Sequence, residues 1–225
     1  INGKIFDPQL GTIDLKNHNV KFIGDPQKRI EEDYLRIIRF IRFSLEHESK
    51  IEPTTIEAIK LNLDGIKKIS KERILNELFK ILRVKNFVKL NNNKQLKDIF
   101  SLIFAEFKYL ERLNKLATII NQSNFDTKTL LAVLLIDEKN DHEYFSHKYN
   151  VSNELKESLN LIAKNFINIK KNKDFFLKNL KKNIYFFGKK HLMKLNTLYF
   201  VSTKKVKLKD YLNVLDNIKK LDIPK

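Results

Sequence analysis

The sequence has no cysteine and no tryptophan, one methionine, five glycines and four prolines in 225 residues. Without cysteine there are no disulfides and no thiolate zinc sites, and the composition fits a reducing compartment. So few glycines and prolines argue against a turn-rich all-β protein. No run of about 18 uncharged apolar residues exists, so no membrane-spanning helix is expected. The opening "INGKIFDPQLG" has neither a basic region nor an apolar core, so it does not read as a signal peptide. The first residue is Ile1 and the single methionine is Met193, so the sequence is not expected to begin at a native start.

Apolar residues make up 42%, enough for a globular chain with one large or two small cores. The net charge is +17, and it is unevenly placed. From Lys164 to Lys225 there are 17 Lys, no Arg, four Asp and no Glu, a surplus of 13. A lysine-rich helical surface suits a phosphate backbone. A merely soluble basic surface is the competing reading.

Turn signals crowd the first 29 residues: "NG" at 2–3, "DP" at 7–8, Gly11 and "GDP" at 24–26. The pieces between them, "KIFD" and "NVKFIG", are short enough to be extended. After Pro26 nearly everything reads as helix. A first helix is predicted over 30–47. A second starts at Pro53, with Gly65 a candidate for its C′ position. Ser70 is a candidate N-cap for "KERILNELFKILRV", with Glu72 in the first turn. "LNNNKQ" at 90–95 breaks the pattern, and one or two helices follow through 96–121. Asp126 caps "TKTLLAVLLI", which is apolar on most faces and is expected at the centre of the body. Ser152 caps a helix over 153–169, three more basic helices fill 173–222, and Pro224 marks a stop. The predicted fold is mainly α, a multi-helix bundle with a short extended N-terminal segment. The expected division is 1–29 as a head or hinge remnant, 30–90 as a neck, and 91–225 as a helical body and basic tail.

Within "EEDYLRIIRFIRF" at 31–43, Asp33, Arg36, Arg39 and Arg42 recur every third position. On one continuous helix Asp33 and Arg36 are a turn apart and can touch. An exposed i,i+3 salt bridge is the plain reading. The alternative is a nucleotide reader. A carboxylate accepts from an exocyclic amine and a guanidinium donates to a ring nitrogen or carbonyl, so side by side they imitate a pairing edge. Cytosine and adenine share that amine.

The ordered set "FDPQLGTIDL", "FIGDPQKRIEEDYLRIIRFIRF" and "ISKERILNELFKIL" resembles the class II CCA-adding tRNA nucleotidyltransferase and poly(A) polymerase family. There, a D-x-x-G-G-x-x-D-L loop precedes an E-D-x-x-R-x-x-R helix, and an S-x-E-R helix follows. The resemblance covers about residues 5–82. It implies that Asp33 and Arg36 read the base of CTP or ATP and that Arg39 and Arg42 make further nucleotide contacts. It places Asp7, Gly11 and Asp14 in a hinge loop, and Glu72 and Arg73 on a helix that buttresses the reader. One position departs: Leu10 replaces the first glycine of the pair, and leucine does not reach positive φ cheaply.

The resemblance also implies a catalytic head with a D-x-D pair holding Mg2+ and a glycine-rich phosphate cradle. Neither is in the sequence, and "DEKNDHE" at 137–143 reads as a loop between helices. No catalytic or metal-binding residue is therefore assigned. The expected function is the nucleotide-selecting, tRNA-binding part of a CCA-adding enzyme, inactive alone, in the cytoplasm, with a separately encoded head as a candidate partner. A poly(A) polymerase fragment, a stand-alone RNA-binding module and a degenerate remnant are the alternatives. "LDIPK" at the other end resembles a point where many bacterial relatives continue. His142 and His147 stand five apart in a loop-like region without ligand spacing. In "DFFLKNL" and "IYFFGKKHL", core packing with lysine stems reaching to water is preferred over stacking of unpaired bases.

Overall fold

The computed structural model describes residue 3 and residues 6–121, 125–172 and 174–221. They form two compact units, residues 1–105 and 106–225. Among the described residues there is no named strand, and one isolated parallel bridge joins Asn19 and Lys50. The mainly α expectation holds.

The first unit contains α1 (Gly11–Lys16), α2 (Pro26–Glu32), α3 (Leu35–Glu46), α4 (Pro53–Leu61), α5 (Lys71–Arg83) and α6 (Lys94–Ile103). Short 3-10 turns over Leu63–Lys68 and Lys85–Asn92 flank α5. Local chemistry accounts for most of the starts. Asp25 accepts from the Lys28 amide and Pro26 opens α2. Pro53 opens α4, Ser70 accepts from the Arg73 amide at α5, and Asn93 accepts from the Leu96 amide at α6.

α3 is the spine of this unit. It buries Leu35, Ile37, Ile38, Phe40, Ile41 and Leu45, against α5 and the turn at 85–92. Each such side chain contributes on the order of 2 kcal/mol of transfer free energy. The segment before α2 lies along α3: the Val20 amide donates to Ser49 Oγ at 2.8 Å, and Phe22 stacks on Phe40 with centroids 5.4 Å apart.

Three expectations change here. The N-terminal segment is not extended throughout, because Gly11–Lys16 is helical; "KIFD" falls partly outside the described residues. The predicted helix over 30–47 is two helices, broken at Asp33, whose φ of −156° and ψ of 102° are extended. No glycine or proline marks that break. Asp33 Oδ1 instead accepts from the Leu35 amide at 3.1 Å, so its side chain takes up the first free amide of α3. Gly65 is not a helix C′ residue: it lies in the 3-10 turn with the Tyr34 ring pressed on it. A Cβ there would sit 2.0 Å from the ring, so any side chain would displace Tyr34 from the helix junction.

The second unit contains α7 (Arg112–Ala117), α8 (Thr127–Leu135), α9 (Asp141–Tyr149), α10 (Asn153–Lys171), α11 (Leu180–Phe187), α12 (Lys189–Ser202) and α13 (Leu208–Lys220). Asp126 and Ser152 cap α8 and α10 as expected. α8 is the centre: every residue from Thr129 to Ile136 is buried, with α9, α10 and α12 around it. The buried Arg112 closes its C-terminal end. Its Nη1 donates to the carbonyls of Val133 at 2.9 Å and Ile136 at 2.7 Å, and Nη2 pairs with Asp137 at 3.2 Å. A cation at the negative helix end satisfies carbonyls that have no partner inside the helix.

The run at 137–143 is a loop only to Asn140; Asp141, His142 and Glu143 open α9. His142 and His147 therefore lie on a helix, with His142 buried. Pro224 and the "LDIPK" ending, apart from Leu221, lie outside the described residues. Among the described residues no helix is long and apolar enough to cross a membrane.

Candidate functional site

Arginine dominates the junction of α2, α3 and α5, and the break at Asp33 determines how its charges are distributed. The side chains of Asp33 and Arg36 do not pair with each other; only the Arg36 amide meets the Asp33 carbonyl, at 3.0 Å. Arg73 Nη2 reaches both carboxylate oxygens of Asp33, at 3.2 and 3.0 Å. Arg36 Nη1 turns back to α2, donating to the Arg29 carbonyl and to Glu32 Oε2, both at 2.6 Å. Arg29 shares that same Glu32 oxygen. Hydrogen bonds from Arg36 and then Arg29 hold the Glu32 carboxyl below its ordinary value.

One turn further along, Arg39 and Arg42 both address Glu77 of α5. Arg42 Nε lies 3.1 Å from Oε2 and Arg39 Nε 3.5 Å from Oε1, with Lys80 Nζ on Oε1 at 2.8 Å. Glu77 is 2% exposed. Burial raises its carboxyl, but the hydrogen bonds from Lys80 and Arg42 outweigh this and hold it below its ordinary value. Arg42 is the most engaged of the three arginines: it also nears Glu46 at 3.7 Å and lies over the Phe43 ring at 4.1 Å. Its side chain is 17% exposed against 44% for Arg39, so Arg39 has more of its donors turned to solvent.

Arg73 and Glu77 are four residues apart on α5 and so share a face. That face gives a cation to Asp33 and an anion to Arg39 and Arg42. Glu77 is the residue sequence reasoning missed. Its signal was weak: an acid inside an amphipathic helix, opposite arginines 35 positions away. Glu72 sits exposed in the first turn of α5, where the helix dipole favours it.

The expected hinge residues form a separate local knot. The Asp7 carboxylate accepts from the Gly11 amide at 2.7 Å and the Thr12 amide at 2.8 Å. The Thr12 hydroxyl, then the Thr12 and Gly11 amides, lower the Asp7 carboxyl. Leu10 takes the left-handed conformation, φ 57° and ψ 31°, which a glycine would adopt freely. Asp14 holds Lys21 at 2.9 Å and the Asn19 amide group at 3.1 Å. Gly11 and Asp14 also line an open cleft of about 690 Å³ with Lys21, Phe43, His47 and Thr55.

Among the described residues, no group of three or more Asp, Glu or His converges to hold a metal ion.

Residues 50–91 match the family described as "Probable RNA and SrmB- binding site of polymerase A". The chain is 32% identical over 162 residues to the CCA-adding enzyme of Staphylococcus aureus (strain Newman), covering 70% of this chain and 38% of that protein. It is 44% identical over 81 residues to the CCA-adding enzyme of Lactobacillus helveticus, covering 36% and 20%. With the human mitochondrial CCA tRNA nucleotidyltransferase 1 it shares 46% over 84 residues, covering 36% and 19%. The matched part is thus well under half the length of these relatives. In fold, the chain resembles the Bacillus stearothermophilus CCA-adding enzyme in complex with CTP, with a TM-score of 0.73 at 17% identity, over 96% of this chain and 53% of that one. It also resembles the Thermotoga maritima CCA-adding enzyme complexed with tRNA, with a TM-score of 0.65 at 20% identity, covering 99% and 56%.

Proposed function

Taking as premise that the chain belongs to the CCA-adding enzyme and poly(A) polymerase family, we propose that it is the nucleotide-selecting and tRNA-binding part of a CCA-adding nucleotidyltransferase. The observation that carries this is the α2–α3–α5 junction, where the expected reader residues and the expected supporting helix meet through Asp33 and Arg73.

Asp33 accepts from the exocyclic amine of cytosine or adenine, and Arg36 donates to the neighbouring ring acceptor. Both are occupied by exposed partners. A carboxylate has lone pairs enough to accept from the base while Arg73 stays in place, and the Arg36–Glu32 pair lies at the surface, so exchanging Glu32 for a base edge costs little. Arg39 and Arg42 serve the phosphates or the placement of the first pair, with Arg39 the freer of the two. Asp7, Gly11 and Asp14 act as the hinge between this part and the polypeptide that holds the catalytic carboxylates and Mg2+. Functionally the division is 1–29 hinge, 30–90 neck and 91–225 body and tail, the last gripping tRNA through its lysine surplus. CTP and ATP are the substrates of the assembled enzyme, and the cytoplasm is the proposed compartment.

Two assays test this. Filter binding of tRNA lacking its CCA end should show affinity falling steeply with salt; a flat dependence contradicts the RNA grip. The purified chain alone should not incorporate CMP into that tRNA; incorporation contradicts its dependence on a separate catalytic head. The match to a polymerase A segment keeps poly(A) polymerase as the second reading. Equal or better binding of oligoadenylate than of tRNA favours it.

A further inference from the structure

The helix α11 has its aromatic residues on the wrong side for a core helix. Leu180, Asn183 and Ile184 face inward, and Asn183 Nδ2 anchors the helix to the Phe175 carbonyl at 2.8 Å. The outward face carries Lys181, Lys182, Tyr185 and Phe186, all exposed. Tyr185 is 69% and Phe186 64% solvent-exposed, whereas Phe175 and Phe176 of the preceding run are 6% and 7%. The expectation of core packing therefore holds for the first aromatic run and fails for the second.

On this face Lys181 and Tyr185 are four residues apart, as are Lys182 and Phe186, so each ring has an ammonium one turn away. The two rings meet edge to face, centroids 5.4 Å apart at 85°. Together they make a corner with one ring as floor and the other as wall. Phe186 is backed by Phe187 at 6.5 Å, which in turn lies 5.6 Å from His191. Between Phe175 and Leu192 the sequence has five Lys and no acidic residue. Among the described residues Lys181, Lys182 and Lys190 have no acidic partner.

We propose that the Tyr185–Phe186 corner on α11 is a stacking site for an unpaired nucleobase of bound RNA, with Lys181 and Lys182 holding the adjoining phosphates. This rests on the RNA-binding reading above and assigns the tail a specific contact within it. An exposed aromatic ring stacks on the π-face of a base, and flanking cations track the backbone. Lysine is depleted from protein interfaces, and two copies of so basic a face repel each other, so charge favours a polyanion as the occupant.

The chain has no tryptophan, so Phe186→Trp places a single emitter in the corner. Titration with oligoadenylate should quench it, while an abasic phosphodiester of equal length should bind without quenching. Tyr185→Ala/Phe186→Ala should weaken oligoadenylate binding roughly tenfold or more, with the salt slope unchanged. Lys181→Gln/Lys182→Gln should instead lower that slope by about 1.4. An unchanged tryptophan signal at saturating RNA overturns the stacking site and leaves the RNA grip standing. Failure to bind any RNA overturns both. If the double alanine variant keeps its RNA affinity but loses self-association in sedimentation, the face is an interface between copies and the proposal is wrong.

Discussion

Arg73 grips Asp33 across 40 residues of chain, one guanidinium nitrogen donating to both carboxylate oxygens. The contact joins the residue that breaks α2 from α3 to the first turn of α5. It fixes the direction of the Asp33 carboxylate without burying it.

Arg73→Ala should therefore change stability by less than about 1 kcal/mol, because the pair is exposed. Its effect should fall on selectivity: binding of CTP relative to UTP should lose part of its preference, and Arg73→Lys should restore it. Thermal melts and nucleotide titrations by NMR measure the two separately. A large loss of stability without a change in selectivity would mean that Arg73 only holds the fold.

Glu77 behaves differently because it is buried under three cations. Glu77→Gln takes the anion from the largely buried Arg42, while the exposed Arg39 and Lys80 turn to water, and should cost about 1–2 kcal/mol. The pH dependence has a definite sign. The folded carboxyl lies below its ordinary value of 4.5, so its contribution is present above that pH and is lost as pH falls through the folded value. Denaturant melts between pH 6 and 3 should show a steep acid limb in the native chain and a flatter one in the variant.

These two contacts show where the sequence is legible and where it is not. Ser70, Asp126 and Ser152 were readable as caps because each bonds an amide three residues on. The all-apolar "LLAVLLI" was readable as a central helix because no face of it tolerates water. The break at Asp33 was not, since "RIEEDYLRIIRF" has helical periodicity and no glycine or proline. Nor were the pairings of Asp33 with Arg73 and of Arg42 with Glu77, which span 40 and 35 residues. The arginines at 36, 39 and 42 were visible as a series, but their partners depended on tertiary packing. The exposure of Tyr185 and Phe186 is not legible in the sequence because large aromatics usually fill cores; only the placement of Leu180, Asn183 and Ile184 shows which way α11 faces.

His191 gives a second pH signature, in the tail. Burial, with a lesser contribution from Lys194, pushes its imidazole down to about 4, and the Asn165 side chain lies 3.1 Å from its Nε2. A folded value below the unfolded one of 6.5 means that stability falls as pH drops from 6.5 towards 4. The histidine resonances should show one group titrating near pH 4, and His191→Gln should flatten the stability curve across that window. The tail's RNA affinity should gain nothing from this histidine between pH 8 and 5.

Leu10 holds a left-handed conformation at a cost of about 1–2 kcal/mol. Leu10→Gly should relieve it, and Leu10→Val should make it worse. The amides of Ile13 and Asp14 both donate to the Leu10 carbonyl, so their hydrogen exchange reports the effect locally. Slower exchange is expected in the glycine variant and faster exchange in the valine variant.

The central claim is that Asp33 and Arg36 select the base. NMR titration of the chain with CTP, ATP and UTP tests it most directly, read at the Asp33, Arg36 and Arg73 amides. CTP and ATP should shift these signals at lower concentration than UTP, and Asp33→Ala should erase the difference while the fold is kept. Equal responses to all three nucleotides, or a preference that survives in Asp33→Ala, would contradict the account.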